Sequence, residues 1–151
     1  MNIRSFIKSD WNDLCKVHDL ARSDELKAAS LESAFLPLEV AAEREGLFEY
    51  EILVAECDNE VQGFIAFDNE EIAWLYVNPK MYRKGVGKAL LEKALAINNS
   101  PFSIEVLEGN SSALNFYKHC GFKEIGMDSG LMPGNENYTV TVHLLSSAAN
   151  A

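Results

Sequence analysis

The stretch Ile72-Ala73-Trp74-Leu75-Tyr76-Val77-Asn78-Pro79-Lys80-Met81-Tyr82-Arg83-Lys84-Gly85-Val86-Gly87-Lys88 decides how this chain is read. Its first six residues are apolar on both parities, the pattern of a central strand covered on both faces. Val86 to Ile97 then puts Val86, Ala89, Leu90, Ala94 and Ile97 on one helical face, with Lys88, Glu92 and Lys93 on the other. Gly85 and Gly87 stand where that helix begins. The first N–H groups of a helix have no internal acceptor, and the helix dipole adds to their pull on an anion. Strand, turn, glycine pair and helix in succession predict a phosphate site there. Arg83, Lys84 and Lys88 strengthen the expectation, because the chain as a whole carries 13 basic and 23 acidic residues, a net charge of −10. Two familiar phosphate motifs do not fit. No glycine lies five residues before Gly87, and Leu90 fills the position where a dinucleotide fingerprint needs a third small residue.

Outward from this segment, the pattern is that of one domain. The chain has 151 residues, 48% hydrophobic and 24% charged, which excludes a disordered or collagen-like polymer. The negative field disfavours nucleic acid and anionic membranes as partners. No apolar run approaches the roughly 18 residues of a membrane helix. The opening Met1-Asn2-Ile3-Arg4-Ser5 lacks the apolar core of a secretory signal, so a cytoplasmic protein is expected. Cys15, Cys57 and Cys120 are odd in number and widely spaced, which predicts free thiols. His18, His119 and His143 show no metal-ligand spacing, and no metal is expected.

A strand is predicted at Ile3 to Ile7, then a helix capped by Ser9 or Asp10, then a helical region over Leu31 to Phe48 broken at Pro37. Tyr50 to Cys57 and Val61 to Phe67 read as a hairpin turning at Asp58-Asn59. Past the central strand, Asn98 to Pro101 stops the helix, and Phe102 to Leu107 alternates as a strand. Asn110 to Cys120 is a short helix closed by Gly121. Strands around Phe122 to Met127 and Tyr138 to Leu145 end the domain at residue 145, with a frayed tail expected over 146–151. The order βααβββαβαββ predicts an α/β (α+β) domain. Strand–helix–strand at the centre implies parallel pairing there, and the hairpins imply antiparallel flanks.

A second motif follows the first: Ile104-Glu105-Val106-Leu107-Glu108-Gly109-Asn110, then Ala113 and Phe116-Tyr117-Lys118-His119-Cys120-Gly121-Phe122. Together the two segments resemble the signatures of the GNAT superfamily of N-acetyltransferases. The phosphate loop of that superfamily reads [QR]-x-x-G-x-[GA], matched here by Tyr82-Arg83-Lys84-Gly85-Val86-Gly87, with Tyr82 departing at the first position. The second signature is a strand, an Asn, and a helix ending in tyrosine before Gly-Phe. The resemblance covers almost the whole chain. It implies a mainly antiparallel sheet of about seven strands with about four flanking helices.

It further implies acetyl-CoA as cosubstrate. Its pyrophosphate would lie on the amides of Arg83, Lys84, Gly85, Val86, Gly87 and Lys88. Its pantetheine would run along the main chain of Leu75, Tyr76 and Val77, and Asn110 would contact the thiol arm. Direct attack of an amine on a thioester needs a neutral amine, a polarised carbonyl and a proton for the departing thiolate. Tyr117 is the candidate acid, since a phenol is protonated at neutral pH. On residues alone it equally suits the apolar face of its helix. Glu105, mid-strand among apolar neighbours, is the candidate base, with Glu70 and Glu71 as alternatives. Cys120 suits either a covalent acyl carrier or a small helix-face residue. Between Glu39 and Glu60 lie eight acidic residues and Arg44 as the sole cation, a wall suited to a cationic acceptor or simply a solvated surface. The expected activity is acetyl transfer to the primary amine of a small molecule. A protein N-terminus or lysine is the alternative acceptor, and a noncatalytic acyl-CoA-binding module the rival class. A homodimer is compatible with each.

Overall fold

A computed structural model describes residues 1–148. Seven strands and four helices occur in the predicted order: β1 (Asn2–Ser5), α1 (Trp11–Ala28), α2 (Leu38–Arg44), β2 (Glu51–Cys57), β3 (Glu60–Phe67), β4 (Ile72–Val77), α3 (Val86–Ile97), β5 (Ser103–Leu107), α4 (Ser111–His119), β6 (Lys123–Leu131) and β7 (Thr139–Ser146). The predicted Leu31–Phe48 helix is α2 flanked by two single 3₁₀ turns, because Pro37 blocks one continuous helix and serves as the N-cap of α2. Asp58 and Asn59 both take positive φ, 52° and 66°, as a two-residue hairpin turn requires.

Asp10 does not cap α1 with its side chain. Its buried carboxylate instead accepts from Ile7 N and is gripped by both terminal nitrogens of Arg4, at 2.9 Å each. Arg4 holds the carboxyl below its usual range. Strand β7 runs through Ser146, and Ser147 exchanges hydrogen bonds with Phe102, so the expected tail is paired there. Residues 149–151 of that tail lie outside the described residues.

The strands form two antiparallel sheets, β1-β2-β3-β4 and β5-β7-β6. The expected central parallel pairing is confined to one bridge, Glu71 with Ser103 at the start of β4 and β5. Ser103 N donates there to Glu70 O at 2.8 Å. Beyond that point the two strands have no ladder between them, and a cleft opens where pairing would have continued. The opening coincides with a bulge in β4. Phe67 pairs with Ile72 and Ala66 with Trp74, which leaves Ala73 as the extra residue.

The bulge also re-aims the side chains. Ile72 and Leu75 pack with α3 and α4 in one apolar cluster, while Trp74 and Tyr76 pack with α1 and α2 in another. Both faces of β4 are therefore covered, as its composition predicts, while its edge beyond Glu71 is free. A third cluster (Leu26, Ala34, Leu107, Met132, Val142) binds the end of α1 to the C-terminal sheet, and Leu107, Met132 and Val142 of it line the cleft.

Candidate active site

The cleft between β4 and β5 has a volume of about 600 Å³. It brings together Leu75, Tyr76, Glu105 and Tyr117 of the sequence candidates. Tyr117 is positioned by α4, whose start is set by Asn110: its side-chain oxygen accepts from Ala113 N at 3.3 Å. Asn110 thus spends its oxygen on the cap, and its amide NH₂ is left for any contact with a cofactor. The Tyr117 ring is held edge-on between Phe116 and Phe122, and only 6% of the residue is exposed. Its hydroxyl has no hydrogen-bond partner among the described residues, yet it is not sealed from solvent, because the cleft reaches it. Burial pushes the phenol well above its ordinary range, with the charge of Glu25 and the nearby Cys120 adding to the effect. The hydroxyl therefore stays a proton donor at any working pH.

Glu105 sits in the middle of β5 on the face opposite the buried Ile104 and Val106. It opens into the cleft. Desolvation by the walls raises its carboxyl above the ordinary value, helped by the charges of Glu71 and Asp128. A carboxylate so placed is a better base than a free one. Glu71 lines the same cleft, whereas Glu70 is exposed outside it.

The glycine loop lies at the end of β4, apart from the cleft's inner lining. Asn78 anchors it: Asn78 N donates to Gln62 O at 2.8 Å, its side chain bonds the Gln62 side chain, and its oxygen accepts from Lys80 N. Arg83 and Gly85 adopt positive φ, 63° and 84°. Among the described residues no protein group accepts from the N–H of Gly85, Val86, Gly87 or Lys88. These are the bare donors that an anion site needs. Arg83, Lys84 and Lys88 are exposed around them.

The two glycines differ in what they permit. Gly85 needs its left-handed backbone, whereas a Cβ on Gly87 would meet Phe116 and Val77 at ordinary contact distances of 3.5 and 3.6 Å. A β-branched residue at Gly85 costs about 1–2 kcal/mol of backbone strain unless the loop shifts. We expect Gly85→Val to weaken acetyl-CoA by about tenfold or more and Gly87→Ala by less than about threefold, measured by calorimetry. Unchanged affinity in a folded Gly85→Val protein would remove the phosphate site from this loop. Arg83→Ala and Lys84→Ala cost less, because water and salt screen exposed charges.

Cys120 is not in the cleft. It lies half-buried in an outer groove with Lys88, Glu92 and His119, and burial raises its thiol. An activated nucleophile needs the opposite shift. Of the acidic run between Glu39 and Glu60, Glu45 alone reaches the cleft lining, so that run is mostly solvated surface.

Three contributions were not anticipated from sequence. Glu25 of α1 accepts from the Tyr76 hydroxyl at 2.9 Å and pairs with Arg22. Asp128 reaches the cleft from β6. The segment after β6 straps across to the helices: Arg44 donates to Gly134 O at 2.9 Å, Asn135 to Ala34 O at 2.9 Å, and Tyr138 to Ser33 O at 2.9 Å. Only Asp128 carried a local signal, its place between Gly126 and Gly130 on one face of a strand.

An unpaired strand edge over a splayed cleft, a loop of bare amides and a tyrosine lining the cleft are the features that this fold brings together. The sequence profile described as "Acetyltransferase (GNAT) domain" matches residues 49–124, half of the chain, so the protein belongs to the GNAT acetyltransferase family and is an N-acetyltransferase of that type. The chain is 32% identical over 111 residues to the peptidyl-lysine N-acetyltransferase YjaB of Salmonella typhimurium, covering 72% of this chain and 68% of that one. It is 35% identical over 107 residues to an N-alpha-acetyltransferase of Sulfurisphaera tokodaii, covering 54% and 62%. Its fold matches the crystal structure of PaiA N-acetyltransferase from Thermoplasma acidophilum in complex with coenzyme A, with a TM-score of 0.72, 22% identity and 96% coverage of both chains. No helix among the described residues is long and apolar enough to cross a membrane.

Proposed function

We propose that the protein transfers acetyl from acetyl-CoA to a primary alkylamine by direct attack within a ternary complex. The observation that carries this reading is the unpartnered Tyr117 hydroxyl of a buried ring, opening into the cleft that runs along the free edge of β4 and also holds Glu105. The main chain of Leu75, Tyr76 and Val77 offers hydrogen bonds to pantetheine like an added strand, and an N–H of this edge polarises the thioester carbonyl. The amides of Arg83 and of Gly85 to Lys88 hold the pyrophosphate, while Lys84 N donates to Met81 O at 3.3 Å. Glu105 takes a proton from the acceptor ammonium. The amine nitrogen then bonds to the carbonyl carbon, the C–S bond breaks, Tyr117 donates to the developing thiolate, and the proton still carried by the new amide nitrogen restores the Tyr117 hydroxyl.

The first acceptor class is a small cationic amine, in keeping with a cleft lined by Glu25, Glu45, Glu71, Glu105 and Asp128 against Arg22 and Arg44. The second is a polypeptide amine, favoured by the activities for which the two relatives above are named. The test is thiol release from acetyl-CoA against small amines, lysine peptides and peptides with free N-termini. Intersecting initial-rate lines and an active Cys120→Ala enzyme are expected, since no acyl-cysteine is required. Parallel lines with an inactive Cys120→Ala enzyme would overturn direct attack, and no release with any amine would overturn the transferase reading of the site.

A further inference from the structure

We propose that the aromatic platform formed by Phe6, Trp11 and Phe48 docks an apolar side chain of a polypeptide acceptor, a few residues along that chain from the reacting amine. The inference rests on the function proposed above and selects the polypeptide among its acceptor classes. Phe48 lies on the 3₁₀ turn Leu47–Glu49, where Leu47 is buried in the core and Phe48 is 61% exposed. The Phe48 ring centroid lies 6.0 Å from that of Phe6 and 5.5 Å from that of Trp11, and both of those residues are half-buried. Phe6 and Trp11 pack in turn against the core of the N-terminal sheet. Three rings on a fixed support present one apolar surface, the composition and rigidity of an interface anchor.

The platform continues into the cleft. Glu45 and Tyr50, which flank the turn that carries Phe48, both line it. Tyr50 stands edge-on to Trp74 with centroids 5.6 Å apart, and its hydroxyl donates to Glu71 at 3.2 Å. Phe6 N donates to Ile52 O, Glu51 pairs with Phe67, and Phe67 pairs with Ile72. These pairings put the last residues of β1 and β3 and the first residues of β2 and β4 at one end of the sheet. The platform, Tyr50 and Glu71 therefore follow one another along that end.

Strand β1 is three strand spacings from β4, roughly 14 Å. An extended chain covers that in about four residues, whereas a small amine held in the cleft does not reach the platform. Charge decides between a polypeptide acceptor and a second copy of this chain. The cations near the platform in sequence are Arg4, held by Asp10 and Glu56, Arg44, which donates to Gly134 O, and Lys8. Along the run from the platform to the cleft the exposed charges are Glu49, Glu51, Asp68, Glu70 and Glu71, and no Lys, Arg or His occurs between Arg44 and Lys80. A chain of net charge −10 is repelled there, and a basic segment with an apolar residue is complementary.

The test uses peptides with one lysine in a serine background, in which a single phenylalanine is walked outward from the lysine on either side, and hexylamine as a small acceptor. We expect kcat/KM to rise by about tenfold or more for phenylalanine roughly four positions away on one side, mostly through KM. Phe48→Ala truncates an exposed ring and should remove that gain, bringing the phenylalanine peptide level with the all-serine one. General damage would instead lower hexylamine and every peptide by the same factor. A flat scan, a gain that survives Phe48→Ala, or a common loss for all acceptors would overturn docking at the platform, while turnover of hexylamine keeps the transferase reading in place. If no acceptor turns over, calorimetry on the CoA-bound enzyme decides. Tighter binding of the phenylalanine peptide than of the all-serine peptide, lost in Phe48→Ala, supports the platform, and equal binding overturns it. A concentration-dependent dimer that Phe48→Ala dissociates would assign the platform to a second copy of the chain and overturn the proposal as well.

Discussion

Tyr117→Phe is expected to lower kcat by about 10²-fold or more while acetyl-CoA binds almost normally, on the scale of a lost general acid or oxyanion-type donor. Phenylalanine keeps the edge-on packing against Phe116 and Phe122 and deletes only the hydroxyl. That hydroxyl has no protein partner to orphan, so the fold should tolerate its loss. The pH dependence distinguishes its role from packing. Burial raises the phenol, so its proton is present throughout the working range and wild-type activity should show no alkaline limb from Tyr117. A phenol raised this far gives up its proton reluctantly. Much of its contribution is then the hydrogen bond to the developing thiolate, which Phe abolishes equally. Single-turnover kinetics on the bound cofactor is the measurement, and an unchanged chemical step would return Tyr117 to the core.

Glu105→Gln is expected to cost about 10²-fold in rate at neutral pH and to recover at high pH. An alkylammonium with a pKa of about 10.4 is almost wholly protonated at neutrality, and a base must remove that proton. Glu105 acts in its ionised form. Desolvation, then Glu71 and Asp128, raise its carboxyl, so the acid limb of the wild-type profile should lie above the ordinary carboxylate range, with activity lost as pH falls through it. In Glu105→Gln that limb disappears. The rate should then climb by about tenfold per pH unit until the acceptor's own pKa is reached. A variant with the wild-type rate and profile would move the base to Glu71, the other carboxylate at the head of the cleft.

Much of this protein was legible without coordinates because its signals are local. Val86 to Ile97 is a helix on periodicity alone, Asp58-Asn59 turns a hairpin because both residues accept positive φ, and Gly85 before Val86 marks a helix start with bare amides. The paired motifs around Gly85 and Tyr117 extended this to the family. What only the tertiary structure decided depends on contacts between distant segments. The single Glu71–Ser103 bridge shows that β4 and β5 meet and then part, so apolar runs that read as one central sheet become two sheets with a cleft between them. The bulge at Ala73 depends on the register with Ala66 and Phe67, which no window of sequence encodes. Asp10 reads as a helix cap until Arg4 is seen to claim its carboxylate. The carboxylates of Glu25, Glu71, Glu105 and Asp128 come from α1, the turn before β4, β5 and β6. Like charges distant in the chain carry no local pattern, and their convergence on one space exists only once the two sheets are splayed.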